Sequence, residues 1–114
     1  MARRPREDKP DSWFHVVNRG IAKRPLFENH GEARFFLSRL VRQVRAGRME
    51  IHAFCLMTSH YHLLVRSPIG ELSEAMRLAQ SAYSRYFNRR HKRDEHVLSN
   101  PTIGIVPHGS ATKR

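Results

Sequence analysis

The sequence lacks any long apolar run. Its longest apolar stretches, at residues 14–17 and 53–57, are far shorter than the ~20 residues that cross a bilayer. No hydrophobic segment follows the first charges at the N-terminus, so this end does not resemble a secretory signal. We therefore expect a cytoplasmic protein with no membrane partner.

Cysteine is also scarce, because Cys55 is the only one in 114 residues. A single cysteine cannot form a disulfide within the chain, and its surroundings lack the Cys/His spacing of a zinc finger. Cys55 lies in an apolar run, so we expect a buried and unreactive thiol. These features exclude a disulfide-stabilised scaffold, and the chain length fits one compact domain.

Acidic residues are few relative to basic ones. The chain has 21 Lys and Arg against 10 Asp and Glu, a formal net charge of +11. Arginine outnumbers lysine, and its planar guanidinium binds phosphates bidentately and stacks on bases. The imbalance predicts a polyanionic partner, of which nucleic acid is the favoured class. The alternatives are a solvated basic surface with no specific partner, or a surface suited to an acidic membrane.

The hydrophobic pattern alternates between strand and helix. Strand-like patterns occupy residues 12–18, 49–57 and 60–65, and helical patterns occupy residues 31–46 and 72–90. The last two strands are separated by two residues and form a predicted hairpin. The order predicts an α+β, ferredoxin-like two-layer sandwich, with an antiparallel sheet, helices on one face, and a final strand or helix missing.

The two ends of the chain differ in character from this middle part. Residues 1–11 are polar and basic with two prolines, so we expect a disordered N-terminus. Residues 94–114 contain few large apolar residues and no sustained periodicity, so we expect an irregular tail. The predicted domain, judged incomplete, therefore spans residues 12–93.

One motif in the second half of the hairpin could carry chemistry. His60 and His62 are two apart on a predicted strand, so they project to the same face, while Tyr61 projects to the other. Two adjacent imidazoles can hold one divalent ion. Spacing alone favours two ordinary histidines. His15 and His52 lie on other predicted strands, where a local hydrogen bond is the favoured interpretation.

The residues around the pair carry a family resemblance. Residues 51–65, Ile-His-Ala-Phe-Cys-Leu-Met-Thr-Ser-His-Tyr-His-Leu-Leu-Val, resemble the signature of the single-tyrosine HUH transposases, the IS200-like group that includes the REP-associated tyrosine transposases. In that signature an apolar strand ending in Met leads through Pro-Asn to His-hydrophobic-His, and here Thr-Ser replaces Pro-Asn. Residues 15–20 and 84–91 also resemble the family, and the similarity spans residues 13–93.

The resemblance implies an activity on DNA. In this family the two histidines, here His60 and His62, hold Mg²⁺ or Mn²⁺ at a scissile phosphate of single-stranded or hairpin DNA. A tyrosine then attacks that phosphate, which gives a phosphotyrosine link and the transposase and endonuclease activity. Family members often dimerise, so a homodimer is an open alternative. Four arginines are candidate DNA contacts: Arg19, Arg85, Arg89 and Arg90.

The nucleophile is where the sequence departs from the family. The family's tyrosine lies on a later helix, usually before Asn-Pro, and Asn100-Pro101 has no tyrosine before it. Tyr83 and Tyr86 are the remaining candidates, although both lie on an apolar helix stripe that favours core packing. We therefore expect a transposase-family DNA-binding domain with impaired nicking. The alternative is a non-catalytic module that binds single-stranded nucleic acid.

Overall fold

A computed structural model describes residues 9–21, 24–92, 97–98 and 101–106. Its elements follow one another as β1 (Ser12–Arg19), α1 (His30–Arg45), β2 (Glu50–Leu56), β3 (His60–Ser67), α2 (Leu72–His91) and β4 (Thr102–Ile105). No helix within these described ranges is long and apolar enough to span a bilayer.

The four strands form one antiparallel sheet with the order β2-β3-β1-β4. Each helix connects two strands that are separated in the sheet by a third, which is the split β-α-β arrangement of a ferredoxin-like sandwich. The α+β class predicted from the sequence is confirmed.

Side chains alternate between a buried and an open face along the two central strands. Phe14 and Val16 of β1, and Tyr61, Leu63 and Val65 of β3, are fully or almost fully buried beneath the helices. Their neighbours in the sequence face the other way, and in the part of the chain that the structure describes no helix covers that side. We call this side of the sheet the open face.

The fourth strand corrects one expectation. Residues 102–105, predicted to belong to an irregular tail, form β4 and pair antiparallel with residues 14–17 of β1. Of the final strand or helix expected to be missing, the strand is therefore present. A four-residue segment containing Gly104 has little strand pattern of its own, and it becomes a strand because β1 offers a free edge and Ile103 packs against the core. The rest of residues 94–114, apart from 97–98, 101 and 106, lies outside the described residues, as do residues 1–8.

The first helix begins where its residue types require. The Asn29 side chain accepts a hydrogen bond from the Glu32 backbone N–H at 2.9 Å, which caps α1.

Phe36 lies in the core, but Val41 and Val44 on the same predicted apolar stripe remain 37% and 36% exposed. The stripe is wider than the surface it packs on, because β2 is the edge strand and nothing among the described residues lies beyond it.

A buried carboxylate joins the two helices. Glu32 is 0% exposed and accepts hydrogen bonds from the Glu28 backbone N–H at 2.8 Å, from Arg90 at 3.2 Å and from His91 at 2.7 Å. Burial by itself raises the pKa of Glu32, but these three hydrogen bonds outweigh it and hold the pKa below its ordinary value. The ionised carboxylate therefore stabilises the folded state.

Substitution Glu32→Gln should lower the free energy of unfolding by about 1–3 kcal/mol near neutral pH, because Arg90 and His91 lose their anionic partner. The pKa of Glu32 is lower in the folded chain than in the unfolded one. Its contribution is therefore complete above the ordinary value of 4.5 and is lost as the pH falls through the folded value. Urea denaturation of both chains across this pH range should show the difference shrinking in acid.

Glu74→Gln is the matched control, since Glu74 pairs with Arg77 on the exposed side of α2. It should change stability little at any pH. Equal effects of the two substitutions would contradict a special role for the buried carboxylate.

Candidate nucleic-acid interface

The pairing of β1 with β3 assembles the candidate site on the open face. His60 lies opposite Arg19 and His62 lies opposite Val17. The two imidazole rings share that face, as predicted, with centroids 5.0 Å apart, while Tyr61 between them points into the core.

A third imidazole joins the pair from the other strand. Nε2 of His15 lies 3.2 Å from Nδ1 of His62, and the two rings stack with centroids 5.3 Å apart. Sequence reasoning favoured a local hydrogen bond for His15 and missed this contact. The alternating pattern of β1 could place His15 on a face, but only the register with β3 brings it to His62.

The hydrogen-bond partners of the two histidines suit metal binding. Nδ1 of His60 lies 3.2 Å from the Ser59 hydroxyl, and Nδ1 of His62 faces His15. When each Nδ1 carries the proton and donates to these partners, each Nε2 keeps a lone pair, which is the form that ligates a metal. The pair therefore fits a divalent cation. Among the described residues no three His, Cys, Asp or Glu side chains converge on one point.

Arg19 gives the site a fixed positive charge. Together with Val17, Ser59, His60 and His62 it lines a depression of about 430 Å³. A guanidinium beside two metal-competent imidazoles is a combination that recognises a phosphate group.

The Thr-Ser turn before His60 is held by the chain that follows β1. The backbone N–H groups of Leu26 and Phe27 both donate to the Thr58 carbonyl, at 2.6 and 3.1 Å, and that of Gly20 donates to the Ser59 carbonyl at 3.1 Å. A Cβ at Gly20 would lie 2.2 Å from the Arg24 carbonyl oxygen. Only glycine therefore allows this close approach.

A buried polar network lies beneath the histidines. The Tyr61 hydroxyl and the Asn18 amide both donate to Oε1 of Gln80 on α2, the latter at 2.8 Å. Oδ1 of Asn18 accepts from the Arg19 backbone N–H at 2.8 Å. The network ties both central strands to α2 at the level of the site, and sequence analysis did not identify it.

Cys55 corrects another expectation, because its thiol is exposed rather than buried. Cys55 lies on β2 directly opposite His62. Strand alternation thus places its side chain on the open face, and an edge strand has few neighbours to cover it.

The two candidate nucleophiles lie away from the histidine pair, in the helix layer. Tyr83 is fully buried and its hydroxyl donates to the Leu26 carbonyl. Burial, and to a lesser extent the charge of Glu32, raises the pKa of Tyr83. The ring of Tyr86 stacks on Phe35 with centroids 3.9 Å apart. The structure does not bring either hydroxyl to His60 or His62.

The candidate DNA-binding arginines divide between the two sides of the sheet. Arg19 lies on the open face with the histidines. Arg85, Arg89 and Arg90 lie on α2, on the opposite side. All three are exposed, and Arg90 also pairs with Glu32 and lies over the Tyr86 ring at 5.6 Å.

Comparison with known proteins identifies one family by sequence and a similar fold in solved structures. A sequence model described as IS200-like transposase matches residues 9–103. Among solved structures, a REP-associated tyrosine transposase bound to a REP hairpin is similar with a TM-score of 0.72 and 16% identity. That match covers 97% of this chain, which spans 66% of the length of that transposase. A Deinococcus radiodurans protein described as a transposase is similar with a TM-score of 0.66 and 14% identity, covering 97% and 91% of the two chains. No curated protein matches the chain.

Substitution Gly20→Ala should lower the free energy of unfolding by about 1–3 kcal/mol, since the added methyl group meets backbone that cannot turn aside. Urea denaturation measures the loss. Gly104→Ala on β4 is the matched control, because a Cβ there meets its nearest atom at 3.9 Å, an ordinary contact. A Gly20→Ala chain as stable as the control would show that the turn after β1 can relax.

Proposed function

The chain belongs to the IS200-like transposase family, and from this membership we propose that its open face binds single-stranded or hairpin DNA at a divalent cation held by His60 and His62. One observation carries the proposal: two imidazoles share one face, with Nδ1 of each beside a hydrogen-bond partner and Arg19 in the same depression. The REP hairpin bound by the similar transposase supports hairpin DNA as the substrate class.

A divalent cation held here would offset negative charge on phosphoryl oxygens and so activate a phosphodiester. The residues of this chain bind and orient the cation and the phosphate. His60 and His62 provide nitrogen ligands, His15 and Ser59 set their tautomers, and Arg19 attracts the phosphate. Imidazole nitrogen binds Mn²⁺ more readily than Mg²⁺, so we propose Mn²⁺ as the tighter-binding of the two.

The arginines on α2 would act on a different part of the DNA. Arg85 and Arg89 are exposed on the side of the sheet opposite the histidines. We propose that they contact backbone phosphates of a longer or folded DNA molecule, with binding that weakens steeply as salt rises. A formal net charge of +11 supports this dependence.

The placement of the tyrosines favours a second candidate function, DNA binding without nicking. The sequence contains three tyrosines. Tyr61 and Tyr83 are buried with bonded hydroxyls, and burial raises the pKa of both. Tyr86 is stacked in the helix layer. A phenol that is hard to deprotonate and remote from the phosphate is a poor nucleophile, so we propose that the 114-residue chain binds DNA with little or no strand transfer.

Replacing both His60 and His62 by alanine should abolish the enhancement of DNA binding by Mn²⁺, because the nitrogen ligands are lost. Fluorescence anisotropy of a labelled hairpin with a single-stranded extension, with and without Mn²⁺, measures this directly. Binding without metal should persist at low salt through the arginines.

His30→Ala is the matched control, since His30 is an exposed histidine at the start of α1. It should leave the Mn²⁺ effect unchanged. Mn²⁺ enhancement that survives in the double alanine variant would disprove the assignment of the two histidines as ligands.

Denaturing electrophoresis of the same mixtures tests for phosphotyrosine. We expect no DNA–protein band that resists denaturation, because no tyrosine hydroxyl lies beside the pair. A resistant band that disappears in Tyr86→Phe would establish nicking and place the nucleophile on α2.

A further inference from the structure

A second group of rings lies on the open face, away from His60. Trp13 of β1 and His52 of β2 contact each other with ring centroids 4.4 Å apart and planes tilted by 43°. Trp13 lies opposite Arg66, whereas His60 lies opposite Arg19, so the two places are at opposite ends of the β1–β3 pair. Trp13 is the only tryptophan in the sequence.

An irregularity in β2 brings His52 to this position. The register with β3 shifts between Ile51 and Ala53, so His52 is the extra residue of a β-bulge. Such bulges change the direction of a side chain. Here the bulge sets the imidazole beside the indole, and Nε2 of His52 is held 3.1 Å from Glu50.

The charges at this end are not positive, unlike those near the histidine pair, because one guanidinium faces two carboxylates. Arg66 pairs with Glu50 at 2.7 Å and also with Asp11, so its positive charge is fully offset within the group. The Trp13 end therefore offers ring surface without a strong positive field. The face of a base suits it better than a phosphate does.

The two ends are joined by a continuous surface of suitable length. Val17 lies opposite His62 and four residues along β1 from Trp13, which is a distance of about 14 Å. That distance is roughly four nucleotides at the stacked rise of ~3.4 Å, and fewer if the strand is extended. His15 lies between the ends and stacks on His62.

We infer that Trp13 and His52 form a stacking subsite for an unpaired base of the DNA strand whose phosphate lies at His60 and His62. This inference rests on the proposed function and adds to it the path of the strand across the sheet. Aromatic side chains on an open four-stranded sheet stack two or three bases in RNA-binding modules of similar layout. Stacking of this kind tolerates any base, so the subsite would contribute affinity rather than sequence preference.

The single tryptophan gives a direct test in the unmodified chain. Titration with octathymidylate in the presence of Mn²⁺ should quench the fluorescence of Trp13 in parallel with binding measured by anisotropy. Dithymidylate is too short to reach from the histidine pair to Trp13. It should therefore produce little quenching at concentrations where it competes for the metal-dependent site.

Variants separate stacking from other effects. Trp13→Leu should weaken octathymidylate binding about tenfold while leaving dithymidylate binding unchanged, and Trp13→Phe should restore most of the loss because it keeps a ring. Phe54→Ala is the matched aromatic control: Phe54 is 53% exposed on β2 but lies opposite the buried Leu63, off the open face. Thermal unfolding checks that each variant folds. If Trp13→Leu does not fold, His52→Ala and the fluorescence of the unmodified chain test the stacking subsite instead.

The outcomes distinguish this subsite from the proposed function. Metal-dependent octathymidylate binding that requires His60 and His62, but leaves Trp13 fluorescence unchanged, would overturn the subsite and leave the proposed function intact. Absence of any Mn²⁺-dependent DNA binding in the unmodified chain would overturn both.

Discussion

The antiparallel register between β1 and β3 is the constraint on which the candidate site depends. It sets His62 within reach of His15 and His60 beside Arg19, and it leaves Trp13 at the far end of the same face. A shift of one residue would turn His60 and His62 into the core and bring Tyr61 to the surface. The burial of Tyr61 and Leu63 beneath the helices opposes that shift, so core packing and site geometry have the same cause.

Two polar side chains, the half-buried Gln80 and the buried Glu32, fix the helix layer against this sheet. Gln80 on α2 accepts hydrogen bonds from Asn18 and Tyr61, one on each central strand. Glu32 on α1 binds Arg90 and His91 of α2. Polar groups in a core are costly unless they are paired, and these pairs are available in only one arrangement of the layers. The open face is thus free to carry imidazole, guanidinium and indole groups that contribute little to the core.

The sheet also separates two kinds of positive charge. Arg19 lies beside His60 and His62 in one depression. Arg85 and Arg89 are exposed on α2, on the opposite side of the sheet. Composition gave the sum of these charges, but only the tertiary structure shows that they lie on opposite sides of the sheet.

The local sequence pattern determined the two helices and the strand face on which His60 and His62 lie. Alternation along residues 60–65 predicted that His60 and His62 share a face, and helical spacing predicted α1 and α2 to within one or two residues at each end. These features depend on near neighbours in the chain, whose periodicity is visible in the sequence. Tertiary structure alone decided the contact of His15 with His62, the exposure of Cys55 on an edge strand, the bulge at His52 and the existence of β4. Each depends on which strands become neighbours and in what register, and that choice is made by the burial of the whole core rather than by any short segment.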